Sequence, residues 1–384
     1  MPPYTIWLRH ETARHETRTP LTPDGCADLL ASGRIRVVVE RSRARAYEDS
    51  EYARIGAELH EPAELADPGA WRAQPHKPGL LIVGLNALGT PEEHDALTII
   101  NDHALFARVL KPGSVGAARV LRAWRRGAES VQAPPLLYDY DSLHDTAGRL
   151  VGATMSRPAG FVGAAHGVRH WYHSRLRDKC GRPLHLPPPA LASARSCAEL
   201  LPPIRQLAAQ SGAPAPRVLV VGALGRTGRG AVDACYGLGA DVVEWDLPQT
   251  SGGGPFDELL QYDVVIIAVA LRSAVKPLLT DDLIDASGEQ RRLRVIVDVS
   301  CSVDQPLVNA LPIYAAKASW EAPAVRVRHA PPLDVIAVGS LASAVGREAS
   351  IGFSAALVGA LRDFPDGRGW ESARGAFERA MQAA

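Results

Sequence analysis

Cysteine is scarce in this chain of 384 residues. The five present, Cys26, Cys180, Cys197, Cys235 and Cys301, are odd in number, scattered and never in a C-x-x-C pair. That spacing speaks against a disulfide framework or a cysteine-based zinc site; reduced thiols in a cytoplasmic protein are expected, with no metal. A surplus of one charge is also missing, because 42 basic side chains balance 42 acidic ones. A nucleic-acid partner would call for a basic excess, so none is expected. Long apolar runs are absent: the longest, Val264 to Leu271, is far too short to cross a bilayer, and no membrane partner is expected. The opening stretch, Met1-Pro2-Pro3-Tyr4-Thr5-Ile6-Trp7, has no basic segment followed by an apolar core, so no secretory signal is expected. No internal repeat of solenoid length appears. The length allows two or three domains, each with its own core, in an α/β class.

The organising feature is Arg217-Val218-Leu219-Val220-Val221-Gly222-Ala223-Leu224-Gly225-Arg226-Thr227-Gly228, a β-branched run that ends in three glycines spaced by two residues. Gly222 suits the tight strand-to-helix turn, Gly225 lets backbone approach a pyrophosphate, and Gly228 lets the helix pack close to the strand. The helix N-terminus then offers free N–H groups and the positive end of its dipole. A second strand, Asp241 to Trp245, leads to Asp246, 24 residues past Gly222, where an acid would hold a ribose hydroxyl. Leu224, Arg226, Thr227 and Asp298 join Gly222, Gly225, Gly228 and Asp246 as expected cofactor contacts. Asp246 repels a 2′-phosphate and favours NAD, although Arg226 could pair with such a phosphate and keeps NADP open.

Upstream, Tyr4 to Leu8 reads as a strand, followed by the charge-dense loop Arg9 to Arg18. Thr22-Pro23-Asp24-Gly25 opens a helix, with Thr22 as N-cap and Pro23 at the first position, and Gly33 closes it. Strands are expected at Arg36–Glu40, Leu80–Val83 and Leu136–Tyr138, a helix near Glu51–Gly56, a helix over Ile99–Arg108, and a mixed segment over Gly116–Ala123. This alternation predicts a parallel sheet covered on both faces, with ligands beyond the C-terminal strand ends, where Arg9–Arg18 and Asn86 lie. A helix runs from Ala159 to Leu176; its His166, His170 and His173 share a face, which is expected to be hydrated. Arg182 to Pro203 reads as a linker, and Ser251 to Asp257 as a tight loop over or beside the cofactor. Strands at Val218–Val221, Val242–Trp245, Val264–Val269 and Val295–Val299 make a second parallel set. Helices over Ser340–Leu361 and Ala373–Met381 have no strand of their own and are expected to pack on another domain.

These stretches resemble saccharopine dehydrogenase of the lysine-forming type, in the wider alanine dehydrogenase and transhydrogenase group. The marks are Leu8-Arg9 to Thr22-Pro23, Gly222 to Ala231, Trp245-Asp246, Gly253-Gly254-Pro255-Phe256-Asp257-Glu258, Val297-Asp298-Val299-Ser300, Pro312-Ile313-Tyr314 and Arg347-Glu348-Ala349-Ser350. The resemblance implies two Rossmann-like domains with an active site in the cleft between them. Residues 1–150, completed by helices in 335–384, form the substrate side, and 151–334, with a linker helix at 159–177, hold NAD. It also implies pyridine-nucleotide chemistry at an amino-acid amine joined to a 2-oxo acid through an imine.

Where the family places an acid/base lysine, this chain has Asn86; the glutamate beside it is Ala87. The family's active-site histidine aligns with Arg108, while the lysine three residues on is kept as Lys111. An aspartate two residues past Ser300 is Ser302, and of two adjacent arginines Arg149 is kept beside Leu150. Glu16, Arg18, Asp298 and, as a shortened acid, Asp141 are retained. Asn86 exchanges no proton and Arg108 stays protonated, so neither replaces the missing acid/base pair. Arg18, Arg108, Lys111 and Arg149 would together line a cationic cleft for a carboxylate-bearing, amino-acid-type substrate, and His103, Lys111 and Asp141 are the candidates to carry the proton. The expectation is an oxidoreductase acting on a C–N bond with a substrate other than saccharopine. The alternatives are a degenerate NAD-binding protein, or an enzyme that keeps NAD for internal redox cycling.

Overall fold

A computed structural model supplies the structure; the description covers residues 4–61, 74–86, 97–106, 117–177, 180–182, 184, 186–269, 276–301, 309–315 and 318–383. The chain divides into two compact units, Met1–Met155 with Gly346–Ala384, and Ser156–Val345. In the first unit the order is β1 (Tyr4–Leu8), α1 (Pro23–Ala31), β2 (Ile35–Glu40), α2 (Asp49–Arg54), β3 (Glu58–His60), β4 (Leu80–Val83), β5 (Asp102–Leu105), α3 (Ala117–Ser130) and β6 (Leu137–Asp139). The second unit holds α4 (Ser156–His173), α5 (Leu201–Ser211), β7 (Arg217–Val221), α6 (Arg226–Gly237), β8 (Asp241–Trp245), α7 (Leu247–Thr250), β9 (Val264–Ile267), α8 (Asp281–Ser287), β10 (Val295–Asp298), β11 (Ala324–His329) and β12 (Pro332–Ile336). The chain then returns to the first unit as α9 (Gly346–Leu361) and α10 (Arg368–Ala383).

Sheet one has the strand order β3-β2-β1-β4-β5-β6, all parallel, and sheet two runs β11-β12-β10-β9-β7-β8. Both are doubly wound, so each has a point where the strand order reverses: between β1 and β4 in the first, between β7 and β9 in the second. At such a point the connections leave in opposite directions and open a crevice beyond the C-terminal strand ends. The central strands read as continuous apolar runs because both faces are covered; Leu80, Leu81, Ile82 and Val83 are all buried.

Local chemistry explains the elements that the sequence announces. The Thr22 hydroxyl accepts the Gly25 N–H at 3.2 Å and Pro23 occupies the first turn of α1, a cap that stabilises by about 1 kcal/mol. The returning helices close sheet one. Trp370 of α10 packs edge-on against Tyr138 of β6, with centroids 4.9 Å apart. The Ser354 hydroxyl of α9 accepts the Thr22 N–H at 3.0 Å, and the Ser350 hydroxyl accepts that of Thr19 at 2.9 Å. Arg347 grips Glu51 at 3.0 and 2.6 Å.

The structure corrects four sequence expectations. Residues 102–105 of the expected Ile99–Arg108 helix form β5, hydrogen-bonded on both sides between β4 and β6, so tertiary pairing overrides a weak helical pattern. The mixed segment near 116–123 belongs to α3, which opens at Ala117 and runs to Ser130. The histidine face of α4 is not hydrated: His166 and His170 are buried, and His170 Nε2 meets Asp334 at 2.8 Å. The stretch read as a linker to Pro203 ends sooner, because α5 starts at Leu201 and takes Pro202 and Pro203 into its first turn, where a proline loses no hydrogen bond. Two further strands, β11 and β12, form an antiparallel edge to sheet two, and β12 keeps 335 and 336 in the second unit.

Helix α4 lies against both α6 and sheet two because its glycines remove side chains from the contact. A Cβ on Gly160 would sit 1.8 Å from the Thr227 carbonyl oxygen of α6. We therefore expect Gly160→Ala to overpack this contact at a cost of roughly 1–3 kcal/mol. Calorimetry should show a melting transition lowered by several degrees; an unchanged melting temperature would contradict this packing account.

Candidate functional site

In the second unit the glycine loop occupies the switch point of sheet two. Gly222 has φ +84°, and a Cβ there would come within 2.8 Å of the Ala268 carbonyl oxygen beyond β9. A Cβ on Gly228 would sit 2.0 Å from the Gly222 carbonyl oxygen, so the turn and α6 can meet only through glycine. Gly225 is the N-cap of α6 and supplies no side-chain hydrogen bond, which leaves the first-turn N–H groups of Arg226, Thr227 and Gly228 directed at the crevice. Leu224, Gly225 and Arg226 are exposed and Thr227 is half-buried. Asp246, just past β8, accepts the Leu224 N–H on Oδ2 and the Leu247 N–H on Oδ1, both at 2.8 Å. Its carboxylate is thus fixed beside the loop with lone pairs to spare. The first turn of α6 and Asp246 thus bring backbone N–H groups and a carboxylate to one edge of sheet two.

Asp298 ends β10 on the same edge. Its Oδ2 accepts the Tyr314 hydroxyl at 2.7 Å and its Oδ1 accepts the Cys301 N–H at 3.0 Å. Burial raises its carboxyl above the usual range, against the pull of the Tyr314 hydrogen bond. The loop from Ser251 turns through Gly253 and docks onto the segment before α8, where Phe256 N–H donates to the Leu278 carbonyl at 3.0 Å.

The first unit gathers a denser polar cluster at the β1/β4 switch point. Arg18 donates twice to Glu16, from Nε at 2.8 Å and from Nη2 at 2.6 Å, and its Nη1 faces the Met155 sulfur at 3.2 Å. Burial draws the guanidinium pKa down, but Glu16 more than offsets this and Arg18 stays charged. Asn86, three residues past β4, donates its Nδ2 to Glu16 Oε2 at 2.7 Å. Glu11 accepts the backbone N–H groups of Leu85 at 2.6 Å and Asn86 at 3.2 Å. Burial raises the Glu11 carboxyl, with Arg9 opposing and Glu16 adding to the rise. Arg9 contacts the Asn86 carbonyl and lies 3.5 Å from Glu11. Arg45 donates to the Glu40 carbonyl at 3.0 Å, and a recess lined by Arg9, Glu11, Glu16, Arg18, Ser42 and Arg45 lies over the strand ends.

The chain is 33% identical to saccharopine dehydrogenase [NAD(+), L-lysine-forming] of Schizosaccharomyces pombe, over 98% of either chain. It belongs to the saccharopine dehydrogenase family of the lysine-forming type. It is 34% identical to the enzyme of that name from Emericella nidulans, over 97% of this chain and 96% of the relative. Residues 7–70 match the family alanine dehydrogenase/PNT, N-terminal domain. Among solved structures the fold resembles an L-alanine dehydrogenase, with a TM-score of 0.64, 16% identity and coverage of 98% of this chain and 94% of that one. A transhydrogenase from Sinorhizobium meliloti gives 0.58 at 16% identity, over 93% of each chain.

The structure brings Arg18 and Asn86 together through Glu16. Asp141 lies just past β6, half-buried, its backbone N–H bonded to Asp139 Oδ1 at 3.0 Å. Arg108, Lys111 and Ser302 lie outside the described residues. Arg149 is 74% exposed at its side chain and tied to Asp145 at 2.8 Å. His103 is not on a helix with Arg108 but inside β5, 1% exposed, with Nδ1 bonded to the Asn101 carbonyl at 2.8 Å and the ring edge-on to Trp124. Burial pushes its pKa down to about 3, so it stays neutral and carries no proton near neutral pH. Sequence reading passed over Glu11, Arg9 and Arg45. The first two lay inside the charge-dense loop that it marked as a whole; only the pairing of β1 with β4 singles them out.

The depressed His103 fixes the sign of a pH effect. The unfolded chain takes up a proton near pH 6.5 and the folded ring only near 3, so stability falls as pH drops through that window. Burial drives His166 to about 4 in the same direction. Urea unfolding at pH 7 and pH 5 should show the lower pH less stable, and His103→Gln should flatten the difference. Equal slopes in both proteins would refute this assignment.

Proposed function

We propose that this chain is a nicotinamide-dinucleotide-dependent oxidoreductase acting on the C–N bond of a carboxylate-bearing amino-acid substrate other than saccharopine. The observation that carries the reading is the contrast between its two crevices. The loop from Gly222 to Gly228 with Asp246 keeps every feature that a dinucleotide needs, whereas the β1/β4 crevice presents Asn86, a group that cannot titrate.

NAD fits the second unit: Arg226, Thr227 and Gly228 offer N–H groups to the pyrophosphate, and Asp246 takes the ribose hydroxyls. When bound, the dinucleotide supplies or accepts the hydride. In the first unit Arg18 spends Nε and Nη2 on Glu16 and one Nη1 hydrogen on the Met155 sulfur, so the second Nη1 hydrogen is the contact it offers a substrate carboxylate. Arg108 and Lys111 would complete that recognition. Asp141 and Lys111 remain the groups able to move a proton. Imine reduction suits such a site better than imine hydrolysis, which needs repeated proton shuttling and water activation.

Two measurements test this. Assayed with saccharopine and NAD+, the purified protein should turn over far more slowly than with its preferred imine and NADH; comparable rates would sink the altered-substrate reading. Dissociation constants should favour NADH over NADPH by at least about tenfold, near 1.4 kcal/mol, and Asp246→Ala should narrow that gap. Tighter NADPH binding by the unaltered protein would refute the cofactor assignment.

A further inference from the structure

We propose that the edge of sheet two opposite the glycine loop carries a binding site for a phosphate group, free or as a phosphomonoester, held between Arg175 and Arg294.

Helix α4 delivers the first of these cations. Its Gly163 faces Val299 and Val297, and Gly167, one turn on, faces Val297 and Val264. After a further turn His170 Nε2 meets Asp334 at 2.8 Å, and the Asp334 N–H donates to the Arg294 carbonyl at 3.0 Å. Each turn of α4 thus steps toward the N-terminal strand ends. Arg175, two residues past the helix, arrives at the level of Asp263 and Arg294, which immediately precede β9 and β10. Its guanidinium lies over the Trp171 ring, 5.0 Å from the centroid, so stacking holds the group in place and leaves its fork of N–H donors unspent. The indole N–H of Trp171 is itself buried and has no hydrogen-bond partner among the described residues. A buried donor in that state calls for an acceptor.

The carboxylate at this edge is already taken. Asp263 accepts Arg292 Nε at 3.0 Å on Oδ1; its Oδ2 accepts Arg292 Nη2 at 2.7 Å and the Arg217 N–H at 2.8 Å. Arg294 turns its Nη1 to backbone, with the Leu293 carbonyl at 3.1 Å. Among the described residues neither Arg175 nor Arg294 is paired with a carboxylate, and both are half-buried. Burial draws both guanidinium groups below their usual range, and Arg175 adds to the fall at Arg294 against the pull of Asp263. The negative end of the α4 dipole offsets only part of this charge. A phosphate group carries about two negative charges near neutral pH and several acceptor oxygens, which matches two guanidinium forks and an indole N–H. A carboxylate brings a single charge and leaves one cation unmatched.

The test is isothermal titration of the full chain with NADH present, at an ionic strength held constant with NaCl, using inorganic phosphate, phenyl phosphate and acetate as probes. Phosphate or phenyl phosphate should bind at least about tenfold more tightly than acetate, and the tighter of the two shows whether the free ion or an ester is the ligand. Arg175→Gln and Arg294→Gln should each weaken that binding by roughly 10- to 100-fold, the worth of a hydrogen bond between charged partners. Arg36→Gln, on the surface of the first unit, should leave it within about twofold. Should Arg294→Gln fail to fold, Arg175→Gln decides alone, because no hydrogen bond of the described fold depends on the Arg175 side chain. Four results would each overturn the proposal: no saturable binding of either phosphate below about 10 mM, equal affinity for acetate, full affinity in Arg175→Gln, or an equal loss in Arg36→Gln.

Discussion

The buried pair between Glu16 and Arg18 is the interaction on which the first unit's site depends. Its side chains are 2% and 9% exposed, so both charges have given up most of their water. Such a pair is tolerable only when geometry and further hydrogen bonds repay desolvation, and removing one partner typically costs about 3–5 kcal/mol. Here the repayment is visible. The contact is bidentate, Glu16 takes a third bond from Asn86, and the Arg18 N–H also donates to Glu16 Oε1 at 3.1 Å. The loop that carries the pair is clamped from behind, because a Cβ on Gly346 of α9 would sit 2.0 Å from the Thr17 hydroxyl. The last helices of the chain therefore hold the first loop in place.

Each unit answers the same geometric problem with different chemistry. A parallel sheet whose strand order reverses opens a crevice at its C-terminal edge, and the residues following the flanking strands become the ligand surface. In sheet two the turn after β7 is built on Gly222, Gly225 and Gly228, and backbone N–H groups lie at its edge. In sheet one the corresponding residues are Arg9, Glu11 and Asn86, and what faces the crevice is a network of side chains. Backbone amides suit a phosphate whatever the rest of the ligand; side chains can discriminate.

Much of this was legible in the sequence. The glycine spacing announced the strand-to-helix turn at the β7/β9 reversal, because the backbone at Gly222 and Gly228 tolerates no side chain. Thr22-Pro23 marked the start of α1 through capping alone. What the sequence hid were features set by distant partners. The Asp102–Leu105 segment is too short and too polar at its start to declare itself a strand; β4 and β6 make it one. His166 and His170 sit on a helix whose glycines and alanines draw it flush against sheet two, and that closeness buries them. The pairing of Arg149 with Asp145, four residues earlier, is likewise a contact that charge counting does not reveal.

Asn86 serves the frame of the first unit's site through its amide nitrogen. A lysine there would place a second cation beside Glu16. An asparagine keeps a donor for that carboxylate, so no buried acceptor is orphaned and the Glu16–Arg18 pair retains its third bond. A leucine or alanine would not. Asn86 thus brings no titratable group to this position while it supplies the hydrogen bond that the buried Glu16 carboxylate requires.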